Sequence, residues 1–233
     1  LGSNYHRLKV PVRDDEGAVG AYALAPPALV AGNDGALSYL YAGDLQGNIW
    51  RIDMATGPPW KDEVGRKLVF VARDAQGRRQ PVTQQLKVAY APGGGYLLLF
   101  GTGKLVETGD TWPAALLPQS FYAVHDDLNE QTPTRGRDDL AVRKVGVVAD
   151  TGSLAIDGES LHYTGGGARH GWYLDFVATE KTGERSVHGA VLAAGRVAFN
   201  TVLPGHDPCS RPATRLYVLD VLSGFAADAV GTV

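Results

Sequence analysis

The sequence predicts an all-β fold of antiparallel hairpins joined by long loops, and three observations carry that expectation. The 233 residues include 30 glycines and 13 prolines, and the glycines fall between short apolar runs. Frequent turns between short apolar segments mark a chain that folds as strands. A strand-turn-strand pattern recurs along the chain. Several of the expected strands are apolar on both faces, so each requires cover on two sides.

The clearest hairpin spans residues 39–57. Residues 39–43 read as a strand, and Asp44-Leu45-Gln46-Gly47-Asn48 as a tight turn with Gly47 and Asn48 free to take positive φ. Residues 49–53 return. Ala55-Thr56-Gly57 closes a second turn, with Asp53 placed to accept a backbone hydrogen bond from two residues further on. Residues 97–103, 121–125, 197–202 and 215–220 read as further strands. Residues 50–57 align without a gap on residues 217–224: an aromatic, then an aliphatic-Asp pair, then Ser or Thr before Gly. Tyr122-Ala123-Val124-His125 is a weaker third copy. At least three units follow, at roughly 20–78, 79–150 and 160–233, after residues 1–19, read as an N-terminal extension or expression remnant.

Side-chain alternation sharpens the fold class. Trp50 and Ile52 point to one side of their strand and Ile49 to the other, while Tyr217 and Leu219 oppose Leu216 and Val218. Residues 97–100 are apolar throughout. Propeller blades pack between two neighbours and satisfy such strands, and repeated units point the same way. The expectation is therefore a modified or partial β-propeller built from antiparallel hairpin blades with long loops. A large barrel or sandwich is the alternative. Residues 104–120, 126–140 and 150–171 read as exposed loops.

Composition narrows the function classes. A 44% hydrophobic chain of this length can bury a sizeable core. Net charge is −3 without a basic patch, which argues against nucleic acid. No apolar run approaches the ~20 residues of a transmembrane helix. The chain starts at Leu1 rather than Met, which suggests an internal start. The single Cys209 reads as a buried thiol, or as half of a disulfide whose partner lies elsewhere in a secreted protein.

At this point the residues become recognisable. Residues 41–53, reading Tyr-Ala-Gly-Asp-Leu-Gln-Gly-Asn-Ile-Trp-Arg-Ile-Asp, resemble the signature hairpin of the C-terminal domain of PilC/PilY-type type IV pilus tip adhesins. Phe100-Gly101-Thr102-Gly103-Lys104 with Gln119-Ser120-Phe121-Tyr122 is similar to the next block. A third combines Gly171-Trp172-Tyr173-Leu174-Asp175, Gly183-Glu184-Arg185, Phe199-Asn200-Thr201, Pro204 and Asp207-Pro208-Cys209. The resemblance covers about residues 22–224 and lies in the ordered set rather than in any one block. It implies a non-catalytic module outside the bacterial cell, at the pilus tip or outer membrane. Its implied roles are pilus biogenesis, control of extension and retraction, and adhesion. Its implied partners are minor pilins or a pilus-tip complex, and a host or abiotic surface.

The resemblance also raises calcium. Family members often carry an EF-hand-like loop just before the signature hairpin, and here it falls on residues 30–38. Asp34 and Gly35 match, whereas Val30, Gly32 and Ser38 stand at other ligand positions. Calcium takes ~6–8 oxygen ligands, several of them carboxylate, so the loop is degenerate even with help from Asn33 and Asp44. A Gly-rich turn between two strands is the other reading. Residues 135–138 read Arg-Gly-Arg-Asp, which does not supply the Arg-Gly-Asp tripeptide known for cell adhesion in the family.

Other chemistry is weaker. Gly101-Thr102-Gly103-Lys104 hints at a phosphate loop, but Leu98 and Leu105 stand where Gly and Ser or Thr are required. His206 and Cys209 lack a second pair at zinc-like spacing, and no Gly-x-Ser-x-Gly elbow exists. Asp126-Asp127 and Asp138-Asp139 read as solvated loop charges. Trp50, Tyr122, Trp172 and Tyr217 are expected to pack between sheets. Trp112, in a proline-flanked loop, is a candidate contact residue or a loop anchor. The rival function is a quinoprotein-like propeller oxidoreductase, because Asp-x-x-Ser/Thr-Gly turns such as those at Asp53 and Asp220 also occur there.

Overall fold

The structure, a computed structural model, describes residues 8, 10, 22–55, 65–111, 116–147, 154–176, 183–204 and 211–226. Among the described residues, thirteen strands form three sheets. β1 (Ala28–Ala31), β2 (Leu37–Gly43), β3 (Asn48–Asp53) and β4 (Arg66–Val71) make the first, an antiparallel meander in chain order. β5 (Lys87–Tyr90), β6 (Tyr96–Gly101), β7 (Ser120–Asp126), β8 (Ala141–Val147), β9 (Leu154–Gly158) and β10 (Gly171–Asp175) make the second, in the order β5-β6-β7-β10-β8-β9. β11 (Val191–Ala193), β12 (Arg196–Leu203) and β13 (Ala213–Asp220) make the third. The pairings between these strands are antiparallel except that of β8 with β10.

The expected hairpin is present, with Tyr39 opposite Asp53 and Gly43 opposite Ile49. Gly47 takes φ 75°, and a Cβ there would meet the Gln80 and Ala72 carbonyls at 2.6 and 2.8 Å, so only glycine fits the turn. Asn48 does not share that conformation. It is the first residue of β3, fully buried, with its side chain turned back onto Asp44. The Asp53 carboxylate accepts the Ala55 N–H at 2.8 Å, and Asp220 repeats the contact with Leu222 at 3.1 Å.

The second sheet lies between the other two. Tyr41, Ile49 and Phe70 of the first sheet form one core with Leu98, Phe100, Tyr122 and Val124 of the second. Leu97, Leu99, Phe121 and Ala123 point the opposite way and form another core with Val197, Phe199, Tyr217 and Leu219 of the third. Successive residues of β6 and β7 thus serve different neighbours, which is why residues 97–100 are apolar without a break. Phe121 and Phe199 stack at 3.8 Å, and Phe199 and Tyr217 at 5.0 Å.

The repeat has a structural meaning. Trp50, Tyr122 and Tyr217 all sit on the third strand of their sheet. Tyr122 faces the preceding sheet, and so does Tyr217. Trp50 alternates with Ile49 and points away from the second sheet, the same direction in the series, and is buried there rather than between two described sheets. The third sheet has one covered face among the described residues: Leu216 and Val218 are exposed on the other.

Residues 160–233, read as one unit, are divided between two sheets. β10 belongs to the second, paired with β7 from Gly171 opposite Val124 to Asp175 opposite Ser120. Gly171 takes φ 118°, and any Cβ there would run into the Ala123 carbonyl. Trp172 then fills the core between the second and third sheets, and its indole N–H reaches the Val221 carbonyl at 3.0 Å. The β8–β9 hairpin is added outside β10.

Candidate functional site

The calcium expectation falls on the loop before β2. Gly32 N–H donates to the Ala36 carbonyl at 2.8 Å, and Gly35 N–H to the Gly32 carbonyl at 3.0 Å. Asp34 Oδ1 accepts the Ala36 N–H at 2.9 Å. Ser38 Oγ and Asp34 Oδ1 lie 2.8 and 3.0 Å from where a Gly32 Cβ would stand. Asp44 cannot assist: its two oxygens take the Gln46 and Asn48 N–H groups, the Asn48 amide and the Trp50 indole, at 2.8–3.1 Å. One carboxylate, one hydroxyl and backbone carbonyls fall short of a calcium shell. Among the described residues, no three His, Cys, Asp or Glu side chains converge on a metal site. Asn33 adds an amide to Asp34 and Ser38, and the loop is closed by its own hydrogen bonds. Trp112, His206 and Cys209 lie outside the described residues.

Buried polar groups gather instead at the seams between sheets. At the first seam, Arg51 of β3 crosses to Asp126 of β7 with Nη1 2.8 Å from both carboxylate oxygens, and its Nη2 pairs with Glu130. The Tyr41 hydroxyl donates to Asp126 Oδ2 at 2.7 Å. Burial, then the Asp126 carboxylate, pushes that hydroxyl far above the usual tyrosine range. Asp126 is therefore a buried interblade anion and not a solvated loop charge. From its carboxyl end, residues 127–140 run as a strap back to the first sheet. Arg135 N–H donates to the Val69 carbonyl at 2.9 Å, its carbonyl takes the Val71 N–H at 3.2 Å, and Thr134 Oγ1 reaches the Leu68 carbonyl at 3.0 Å.

The strap continues into a polar ring. Arg137 forks onto the two Asp175 oxygens and lies 4.0 Å over the Tyr173 ring. Ser120 Oγ donates to Asp175 at 2.6 Å, Gln80 Nε2 to Ser120 Oγ at 2.9 Å, and the Tyr122 hydroxyl to Gln80 Oε1 at 2.5 Å. A bidentate guanidinium-carboxylate pair of this kind fixes geometry as well as charge. Beside it opens a groove of about 610 Å³, lined by Arg73, Thr134, Arg135, Arg137, Asp138 and Tyr173.

The second seam is built from two blocks that the sequence had flagged for resemblance or as a phosphate-loop lookalike. Ser186 N–H donates to the Thr102 carbonyl at 3.0 Å, and Arg185 exchanges backbone hydrogen bonds with Val202 at 3.0 and 2.8 Å. Arg185 Nη1 donates to the Lys104 and Asp110 carbonyls at 2.6 and 3.0 Å. Gln84 Nε2 reaches the Gly101 and Ser186 carbonyls. The buried Glu184 accepts from Thr201 at 2.6 Å and Tyr217 at 2.9 Å and pairs with Arg215. The Gly101–Lys104 stretch thus holds the Gly183–Ser186 segment against β12. Its backbone N–H groups are partly spent as well: Thr102 donates to Ser120 and Gly103 to Pro81.

Comparison with known proteins agrees with this architecture. The family model described as the PilY1 beta-propeller domain matches residues 6–143. The type IV pilus biogenesis factor PilY1 homolog of Xylella fastidiosa is 33% identical over 208 residues, 83% of this chain and 14% of that protein. PilY1 of Pseudomonas aeruginosa is 28% identical over 238 residues, 86% of this chain and 20% of that protein. The chain therefore spans about a fifth or less of the length of these relatives. The crystal structure of the Pseudomonas aeruginosa PilY1 C-terminal domain superposes with a TM-score of 0.67 at 26% identity, covering 87% of this chain and 47% of that one. These relatives are named as type IV pilus biogenesis factors. From the matched model, the sheet pattern and the ordered blocks alike, the chain belongs to the PilY1 β-propeller domain family.

Proposed function

We propose that this chain is a non-catalytic module of type IV pilus biogenesis, working at the pilus tip or outer membrane in extension-retraction control and surface adhesion. One observation supports a scaffold reading most directly: the buried carboxylates and hydroxyls that resemble catalytic groups are committed to partners within the fold. Asp126 serves Arg51 and Tyr41, Glu184 serves Thr201, Tyr217 and Arg215, and Ser120 donates to Asp175. Groups so engaged hold strands, segments and sheets in place and leave the outer surface for contacts. Partners of that surface are minor pilins or other pilus-tip components, and a host or abiotic surface. Deletion of the gene, complemented by the full-length protein with or without this domain, tests the reading through surface pili, twitching and capture of minor pilins. Normal piliation, motility and attachment without the domain would refute it.

A further inference from the structure

We propose that His125 and His170 form an acid-sensitive latch for the strap that joins the first two sheets. His125 stands near the end of β7, 7% exposed, with Nε2 2.8 Å from the Gly94 carbonyl oxygen. A carbonyl can only accept, so in the neutral ring Nε2 carries the proton and Nδ1 presents a bare lone pair. That Nδ1 is buried and meets no donor, and the His170 Nδ1 is in the same condition. The ring centroids are 6.3 Å apart, and the His125 N–H donates to the His170 carbonyl at 2.9 Å.

The surrounding groups favour a neutral His170 ring. Arg135, from the strap, donates to the His125 carbonyl oxygen. Asp127 is already engaged by Arg135 at 2.8 Å, and Asp139 Oδ2 accepts the Gly136 N–H at 2.8 Å. The Tyr163 ring stands edge-on to His125 at 6.0 Å. Burial, then Arg135 and His125, holds the His170 imidazole below its ordinary value, with Asp139 and Asp127 opposing. A proton on this pair places a second cation beside the guanidinium whose own backbone pins the strap to β4. The same field opposes a metal ion between the rings.

The direction follows from linkage. A histidine less basic when folded is protonated first in the unfolded or released state as pH falls. Strap stability is therefore complete above about pH 6.5 and declines below it. Hydrogen exchange on the 233-residue chain, corrected for intrinsic rates, tests this at about pH 7.5 and about pH 5.5. Protection of the Val71 and Arg135 amides should fall several-fold, with a ceiling of about tenfold set by an ordinary imidazole value of about 6.5 read at about pH 5.5, while β12 and β13 amides stay unchanged. In the His125→Gln, His170→Asn double variant the strap should lose this pH response, the glutamine keeping an N–H toward Gly94. Strap protection that is flat in the wild type, or that falls equally in the double variant, overturns the proposal. If the variant does not fold, nitrogen-detected imidazole NMR of the wild type decides. An Nε2–H tautomer at His125 with His170 titrating below about 6.5 supports the latch, and either opposite finding removes it.

Discussion

Replacing Asp126 with Asn is the sharpest test of the seam architecture. Arg51 and Asp126 are 1% and 2% exposed at their side chains, and the carboxylate holds the guanidinium and the Tyr41 hydroxyl at once. Removing one charge of a buried pair strands the other, which typically costs about 3–5 kcal/mol. Here Glu130 remains as a second partner for Arg51, though 67% exposed, and the new amide oxygen still accepts a hydrogen bond. The lower end, about 3 kcal/mol, is therefore expected. For a chain of this size that lowers Tm by about 6–12 °C. Urea denaturation and calorimetry of the wild type, Asp126→Asn, Arg51→Met and the double variant measure it as a cycle. The double variant should recover most of the loss, because it removes both charges. A cost below about 1 kcal/mol for Asp126→Asn would show that this pair behaves as an exposed one and would refute the reasoning.

Four further outcomes rest on other contacts of the fold. Phe100→Ala, which opens the core between the first two sheets, should cost about 3–5 kcal/mol in urea unfolding. Gly171→Ala forces a Cβ into the Ala123 carbonyl, and limited proteolysis should reveal loss of the β7–β10 pairing. Asp110 and Asp127 resist burial's upward push because backbone N–H groups together with Lys104 and Arg135 hold both below the ordinary carboxylate value. Their contribution is present above about pH 3.8 and is lost as pH falls through the folded values, so in urea denaturation Asp127→Asn should be less stable than the wild type at about pH 7 and should converge on it in acid. Calcium should leave the melting temperature of the chain unchanged against a chelator control, and a calcium-dependent rise that Asp34→Ala abolishes would contradict the loop geometry.

The sequence made much of the fold legible because strand alternation and turn chemistry are local. The unbroken apolar run at 97–100 announced a sheet covered on two sides, and Asp53 announced its own turn. The aligned aromatics at Trp50 and Tyr217, with the weaker copy at Tyr122, marked the third strand of each sheet. Failures came chiefly where neighbours were distant. Asn48 looked like a turn residue, but its amide is drawn back by Asp44 and its backbone by β4. Nothing local assigned β10 to the second sheet rather than the third, since its partner β7 lies across the inserted β8–β9 hairpin. Asp126 read as a loop charge because its partner Arg51 is 75 residues away.

Residue periodicity by itself determined that this chain forms hairpins oily on both faces, and the ordered motifs determined its family. Only the tertiary structure decided which sheets meet, and which charges they trap between them. The physical reason is range. Alternation of side chains is dictated by each strand's own pleat. The cost of burying Arg51, Asp126 or Glu184 is settled only when a partner from another sheet arrives to share the charge.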